Sequence, residues 1–501
     1  VVSGGPQGGA GADFKPVHMP LALNESANVD RFVKLFAGRY MFVPGIGWYE
    51  WNGERWVLDE LGSVFSQTQA VATVLDMELD QYLNSPAGLE LEDAEVAAVR
   101  KAVSAFRTKS LGIRARQQVL AGAEAEMGVL VSELNQDVWS LVVQGGTLDL
   151  KTGVKRPSRP EDRNTQTAAV IFDPAAVCPK FDALLEYAFP DDAEMIAYIW
   201  RVLGYTLTGL TREQRFFFLW GKSGSGKTTI CEVMAHLLGD YAVELDEEAL
   251  FGGGHPTWIA DLIGKRMIFK DELNQKRRMN TAVINKLVSG GTMKGRRMRK
   301  DFVDIPIHGK LFVATNHRPP MGGAADGIYR RLQPMWFQRP VSDSEKVLDY
   351  SALLAQEEGS GILRKALEGL QDYLQGGLRP PAGIKEQVDD YKESEDDFQP
   401  FVEDFLVKTD NEKDWLAYDD LMALYTGWAQ AGNIKPMTVN EVVKHLLEAG
   451  FKRAPAAVRA ANQLSGVRMP KRGLSGVRVS VENAGMLTFG KPQWVPVAQL
   501  K

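Results

Sequence analysis

Gly221, Lys222, Ser223, Gly224, Ser225, Gly226, Lys227 and Thr228 have the types and order needed to cradle a chain of phosphates. The glycines let the backbone curl so that its N–H groups point at phosphate oxygens, and a helix starting behind them adds a favourable dipole for anions. The Lys227 ammonium is placed to reach the β- and γ-phosphates of ATP; the Thr228 hydroxyl, followed by Thr229, is placed to hold Mg²⁺. Downstream, Asp271 and Glu272 follow the apolar run 267–269. An Asp there can hold the Mg²⁺ shell, and a Glu can polarise the attacking water. Alone, such a pair reads as a solvated acidic turn; behind a phosphate loop it reads as catalytic. Asn316 closes another apolar run, 311–315, where a polar side chain can touch the γ-phosphate. Arg330 and Arg331 follow the Gly-rich loop 322–327. They are either a surface basic pair or fingers that reach a neighbouring subunit's nucleotide.

Positioning these groups requires a parallel sheet with the helix 229–238 behind the loop. The runs 216–220, 267–269 and 311–315 are short and continuously apolar, as buried parallel strands are. The fold class is therefore α/β, with a phosphate-loop core spanning 211–345. Before it, a flexible segment (1–23) leads to a mainly helical domain with a small β-hairpin (24–210). After it come a helical segment and linker (346–397) and a last domain (398–501). Residues 32–56 read as strands, with Asn52-Gly53 as the hairpin turn. Trp48, Tyr49, Trp51 and Trp56 could stack on bases, but filling the hairpin core is the stronger reading. Residues 64–83, 91–134, 191–208 and 342–372 read as helical, and the polar, acidic stretch 385–397 as a linker. Asp76, Glu78 and Asp80 alternate, which splits them between helix faces and favours a solvated surface over a metal site.

The 501-residue chain is 45% hydrophobic and 24% charged, a globular composition, with no stretch suited to spanning a membrane. Cys178 and Cys231 lie far apart, and the six histidines form no metal-binding cluster, which points to a reducing cytoplasm. The net charge of −6 excludes a chain that coats nucleic acid throughout and leaves room for local basic surfaces.

The order of these pieces resembles the AAA+ superfamily 3 helicases, in the branch of phage, plasmid and poxvirus primase-helicases. Four blocks carry the resemblance: 221–228, 269–273, 284–305, and 314–319 with Arg330-Arg331. The third is distinctive, running from Lys286-Leu287-Val288-Ser289-Gly290-Gly291 into a Lys/Arg-rich stretch. Thr292 stands where the family often has Asp, and Glu272 aligns with the branch's most constant carboxylate. The resemblance implies an ATP-hydrolysing helicase that forms a ring, with six subunits expected, binds ATP between subunits and moves 3′ to 5′. It implies a channel β-hairpin that grips single-stranded or forked DNA. It also leaves room for an upstream primase or polymerase module.

On that pattern the hairpin tip falls at Arg299, Lys300, Asp301 and Phe302, with Lys294, Arg296 and Arg297 on the rising strand. Seven cations, counting Lys310 and a protonated His308, lie between 294 and 310, and their density favours DNA over a merely solvated hairpin. In the last domain, a helix at 418–431 and a second opened by a Thr438/Glu441 capping box precede a basic stretch with Arg459, Arg468, Lys471 and Arg472. That order resembles a winged helix, used for DNA or for protein contacts. Two rivals share the nucleotide site: a non-unwinding AAA+ loader or remodeller, and an origin-binding initiator. The basic hairpin argues against the first.

Overall fold

The computed structural model describes residues 21–480 apart from 254–255, 274–278, 299, 320, 322–326, 343, 345, 395–397, 412–413, 432–435 and 455–472. The expected flexible start, most of the Gly-rich loop, Arg299, and Arg459, Arg468, Lys471 and Arg472 lie outside the described residues. The chain divides into two compact units, Val1–Ile384 and Lys385–Lys501.

The first unit opens on helix α1 (Glu25–Phe36), whose start is fixed by Asn24 accepting a hydrogen bond from Ala27 N. Phe32, expected in a strand, is buried in this helix. The aromatic-rich pattern misled there, because the ladder begins only beyond Gly38, at φ 76°. Strands β1 (Tyr40–Val43), β2 (Gly47–Trp51) and β3 (Trp56–Leu58) form an antiparallel sheet. The Asn52-Gly53 turn forms as expected, with Trp51 opposite Trp56 and the Asn52 side chain accepting from the Glu54 and Arg55 amides. Trp48, Tyr49 and Trp56 are buried, so these rings are hairpin core.

Helices α2 (Ser63–Gln67), α3 (Ala70–Leu83), α4 (Pro86–Leu89), α5 (Asp93–Ser110) and α6 (Ile113–Glu126) follow. The carboxylates of α3 are not simply a solvated face. Arg31 of α1 holds Glu78 through two nitrogens, and Arg107 of α5 holds Asp76 at 2.9 Å, so α3 is tied on both sides. Asp80 is exposed. A second antiparallel sheet, β4 (Ser140–Val143), β5 (Gly146–Asp149) and β6 (Lys155–Arg156), precedes helices α7 (Pro179–Ala188) and α8 (Ala193–Leu207).

The core then runs β7 (Phe216–Gly221), α9 (Lys227–Leu238), β8 (Ala242–Glu244), α10 (Glu247–Leu250), β9 (Met267–Asp271), α11 (Thr281–Val288), β10 (Thr292–Gly295), β11 (Val303–Pro306), β12 (Lys310–Thr315) and β13 (Leu332–Phe337). Five of these strands form one parallel sheet in the order β13-β7-β12-β9-β8, with Trp336 beside Trp220 and Ala314 beside Asp271. Phe217, Leu219, Phe312, Met335 and Phe337 turn one face of it to α8, α9 and the long helix α12 (Tyr350–Gly376). α8 and α12 cross closely at Gly204 and Gly369, where a Cβ would meet opposing backbone at 2.3 and 2.1 Å. Helix α12 starts at Tyr350, later than the expected 342, because the Ser- and Asp-rich lead-in turns and Asp349 takes a left-handed φ of 51°.

Glu358 of α12 is buried and accepts from the Lys180 and Phe181 amides at 3.0 and 2.9 Å, capping α7 from a distant part of the chain. Replacing it by Ala leaves two orphaned donors at a helix N-terminus. We expect Glu358→Ala to cost about 3 kcal/mol, read as a lower urea midpoint; an unchanged midpoint would refute this role.

The expected linker at 385–397 is instead largely helix, α13 (Ala382–Ser394). Its polar residues are good helix formers, and Ile384 and Tyr391 bury one stripe of it. The second unit continues with α14 (Gln399–Phe405), β14 (Leu406–Lys408), β15 (Trp415–Ala417), α15 (Tyr418–Ala431), α16 (Val439–Glu448), β16 (Lys452–Arg453), β17 (Gly473–Ser475) and β18 (Val477–Val479). The Thr438/Glu441 capping box is present, and β15, β17 and β16 form a small antiparallel sheet beside a core of Phe401, Leu421, Tyr425 and Leu446. Among the described residues no helix is long and apolar enough to cross a membrane.

Candidate functional site

The phosphate loop leaves the sheet at the end of β7 and enters α9 at Lys227. Gly221 has φ 137°, and a Cβ there would lie 2.0 Å from Phe337 O, so only glycine lets β7 pass β13 into the loop. The Lys222 amide donates to Phe337 O at 3.1 Å and the Val341 amide to Gly224 O at 2.8 Å, so β13 and its exit hold the loop's outer side. Lys227 is buried at 4% exposure, and its amine donates to Gly221 O (3.0 Å), Lys222 O (2.6 Å), Ser225 Oγ (3.3 Å) and Asn316 Oδ1 (3.0 Å). Thr228 Oγ1 donates to Asp271 Oδ1 at 3.1 Å. The ends of β7, β9 and β12 thus meet at one point.

Burial pulls the Lys227 amine below its ordinary range, with Asp271 and Glu272 opposing the shift. Burial pushes the Asp271 carboxyl up, and the Thr228 hydroxyl counters it. Glu272 is exposed and holds a left-handed φ of 53°, its amide bonded to Ala314 O at 2.9 Å. A non-glycine residue in that conformation is a strained turn directly beside the half-buried carboxylate of Asp271. Hard oxygen donors from Thr228 and Asp271 suit Mg²⁺.

A cavity of about 820 Å³ opens over the loop, lined by Ser223 to Thr229, Asp271, Glu272 and Asn316. Its far wall was not legible as a motif. Lys180, Leu184 and Tyr187 of α7, with Val341, Lys346 and Tyr350, complete it. These residues carry no local pattern, and only the packing of α7 against α12 brings them to the loop. Beside the cavity, Trp220 and Trp336 stack at 5.5 Å and Arg318 lies 4.1 Å over Trp220, an arrangement sequence reasoning also missed. The register of β7 with β13 creates it.

Arg330 and Arg331 precede β13, at the other end of the sheet from the phosphate loop, and do not line the cavity. Arg330 is exposed, its carbonyl held by Arg215, and Arg331 donates to Gly327 O at 2.8 Å.

The expected hairpin is β10 and β11, antiparallel, with Lys294 opposite Asp304. Lys294, Lys300 and Phe302 are exposed; Arg296 is half-buried and lies 4.8 Å over the Phe302 ring. Arg297 is half-buried toward Tyr49, whose phenol burial pushes up to about 12 against the pull of that guanidinium. The hairpin rests on the N-terminal sheet: a Cβ at Gly45 would lie 2.5 Å from Val303 Cγ1. Two cations counted toward its basic surface do not belong there. Lys310 is 3% exposed, and His308 is half-buried against Gly209 O, with burial holding the imidazole below its ordinary value. Both follow the hairpin, where the chain turns toward β12 and linear charge density says nothing of direction.

The family described as D5 N terminal like matches residues 29–190, and a Family of unknown function (DUF5906) matches residues 219–331. A protein with a helicase name in Acanthamoeba polyphaga mimivirus is 23% identical over 446 residues, covering 79% of this chain and 45% of that protein. A helicase-named protein of the Sputnik virophage is 20% identical over 432 residues, covering 78% of this chain and 52% of that protein. The chain spans about half the length of these curated relatives. Among solved structures, the apo C-terminal region of NrS-1 is 13% identical, with 63% of this chain and 80% of that one covered and a TM-score of 0.40. Its A form is 12% identical, with 48% and 61% covered and a TM-score of 0.36. With a D5-like region ahead of a phosphate-loop core, and helicase-named viral relatives that cover more than three quarters of it, the chain is similar to the phage and viral superfamily 3 primase-helicases.

Proposed function

We propose that the chain is an ATP-dependent DNA helicase that replicates a phage or mobile element in the cytoplasm of its host. The observation that carries this reading is the meeting of Lys227 with Asn316 and of Thr228 with Asp271, side chains from three strand ends around one cavity. Lys227 binds the β- and γ-phosphates, and the loop amides hold the rest of the phosphate chain. Thr228 and Asp271 would hold Mg²⁺, whose positive charge would offset the charge that develops on the phosphates. Glu272 orients the attacking water, and Asn316 senses the γ-phosphate. Arg330 and Arg331 serve the site of the neighbouring subunit in a ring, six-membered on the family pattern. Their distance from their own cavity supports that role.

The hairpin carries Lys294, Arg296, Arg297, Arg299, Lys300 and Phe302 to single-stranded or forked DNA and moves it 3′ to 5′. The second unit, with two helices followed by the basic strand β16 paired with β17, acts as a winged helix on duplex DNA. A primase or polymerase module completes the replication machine.

The test is strand displacement on a forked DNA with ATP and Mg²⁺. Unwinding that needs Lys227 is the expected result; ATP turnover without unwinding would favour a loader or remodeller. We also expect Asp271→Asn to raise the Mg²⁺ concentration for half-maximal turnover about tenfold or more. An unaltered Mg²⁺ dependence would remove Asp271 from the metal site.

A further inference from the structure

The strands that end at Asp271 and near Asn316 begin beside two buried cations. Arg266 precedes β9 and Lys310 opens β12; they are 4% and 3% exposed, and Lys310 N donates to Arg266 O at 2.9 Å. Both reach the same place, the C-terminal end of α8. Arg266 donates to Leu207 O, and to Ser140 O of β4 at 2.5 Å, with its guanidinium 4.7 Å over Tyr241. Lys310 Nζ donates to Thr208 O, and to His308 O at 3.3 Å, and lies 4.9 Å from the Tyr205 ring centre. Among the described residues neither cation has a carboxylate within ion-pair distance. The negative end of the α8 dipole and its unpaired carbonyls hold them instead.

The same place anchors the root of the hairpin. Ile307 N donates to Gly291 O at 3.0 Å, closing the base of β10 and β11. His308 Nδ1 faces Gly209 O at 3.2 Å, and Gly209 N donates to Val138 O at 2.9 Å. A Cβ at Gly290 would meet Thr211 Oγ1 at 1.8 Å, so the hairpin's first strand is pressed on the same segment. From the end of β11 at Pro306 the chain reaches Lys310 and then runs straight along β12 to Asn316.

An apolar side chain would fill this position without desolvating a charge. What an apolar chain could not supply is direction: donors that fix particular carbonyls to the start of a particular strand. We infer that Lys310 is a positioning residue that couples the hairpin to the ATP site, by latching the hairpin root and the start of β12 to the end of α8. A displacement of the hairpin on DNA then moves β12 as a unit and shifts Asn316 against Lys227. Arg266 holds β9, and so Asp271, to the same helix end. This inference rests on the helicase reading above.

The experiment compares ATP turnover with and without single-stranded DNA, DNA affinity by fluorescence anisotropy, and thermal unfolding, for the wild-type chain, Lys310→Met, Lys310→Arg and His308→Ala. Lys310→Met should keep basal turnover and DNA affinity within about threefold and unfold within a few degrees of wild type, while DNA no longer stimulates turnover. Lys310→Arg, which keeps charged donors, should recover part of the stimulation. His308→Ala loosens the root from the surface side and should weaken stimulation; it reads the same coupling if Lys310→Met does not fold. Full stimulation in both Lys310→Met and His308→Ala would overturn the inference. So would an equal loss of basal turnover, stimulated turnover and DNA affinity, which is what a merely structural residue gives. Wild-type turnover indifferent to DNA would overturn it together with the DNA-translocation reading, whereas absence of any wild-type turnover would strike first at the ATPase site itself.

Discussion

Lys227→Ala should reduce ATP hydrolysis by at least about a hundredfold to a thousandfold, the usual cost of removing one fixed charge from a transferring phosphoryl group. The side chain has no substitute nearby in the loop, because its amine sits among Gly221 O, Lys222 O, Ser225 Oγ and Asn316 Oδ1 at the meeting of β7 and β12. Its loss frees Asn316 as well, so the variant should lose both phosphate affinity and the link between the sensor strand and the loop. The fold should survive, since burial already pulls this amine toward its neutral form and an alanine removes that penalty. Phosphate release and binding of a fluorescent ATP analogue read the two effects separately. Turnover within threefold of wild type would mean that the cavity is not the hydrolytic site.

Lys294→Ala with Lys300→Ala should abolish strand displacement and leave basal turnover within about twofold. Both side chains are exposed on the hairpin, remote from the nucleotide cavity, so the change subtracts phosphate contacts and little else. If each contacts one phosphate, the slope of log affinity for single-stranded DNA against log salt should fall by about 1.4. That slope separates direct contact from indirect damage: a misfolded hairpin would weaken binding through every contact, whereas two lost phosphates give a bounded change. Normal unwinding by the double variant would take the hairpin out of translocation.

Much of this was legible because it is local. The phosphate loop is one contiguous segment, and the runs at 216–220 and 311–315 fell within strands that differ from them by one residue. The Asn52-Gly53 turn and the Thr438/Glu441 box carry their geometry in the residues themselves. The errors share a physical origin. Phe32 looked like a strand residue, but the helix cap at Asn24, eight residues upstream, outweighed aromatic preference. The polar stretch after Ile384 looked like a linker because its apolar residues are few, although they recur at a helical interval. Lys310 and His308 looked like DNA contacts because charge in a sequence has no direction until the strand does. The α7 wall of the cavity had no signal at all: Lys180, Leu184 and Tyr187 become site residues only through the packing of α7 against α12, with Glu358 capping α7.

The close approach of Gly221 to Phe337 bears on where this chain can be cut. The recognisable core match ends at residue 331, before β13 begins, yet Phe337 O receives the Lys222 amide and forms the wall against which the loop turns. A fragment trimmed to the visible motifs would carry every signature residue through Arg331 and still lack the support that shapes the loop. It would also expose the edge of β7 to other chains. The smallest piece able to bind nucleotide is therefore longer than its motifs, and extends through α12, whose Glu358 secures the opposite wall.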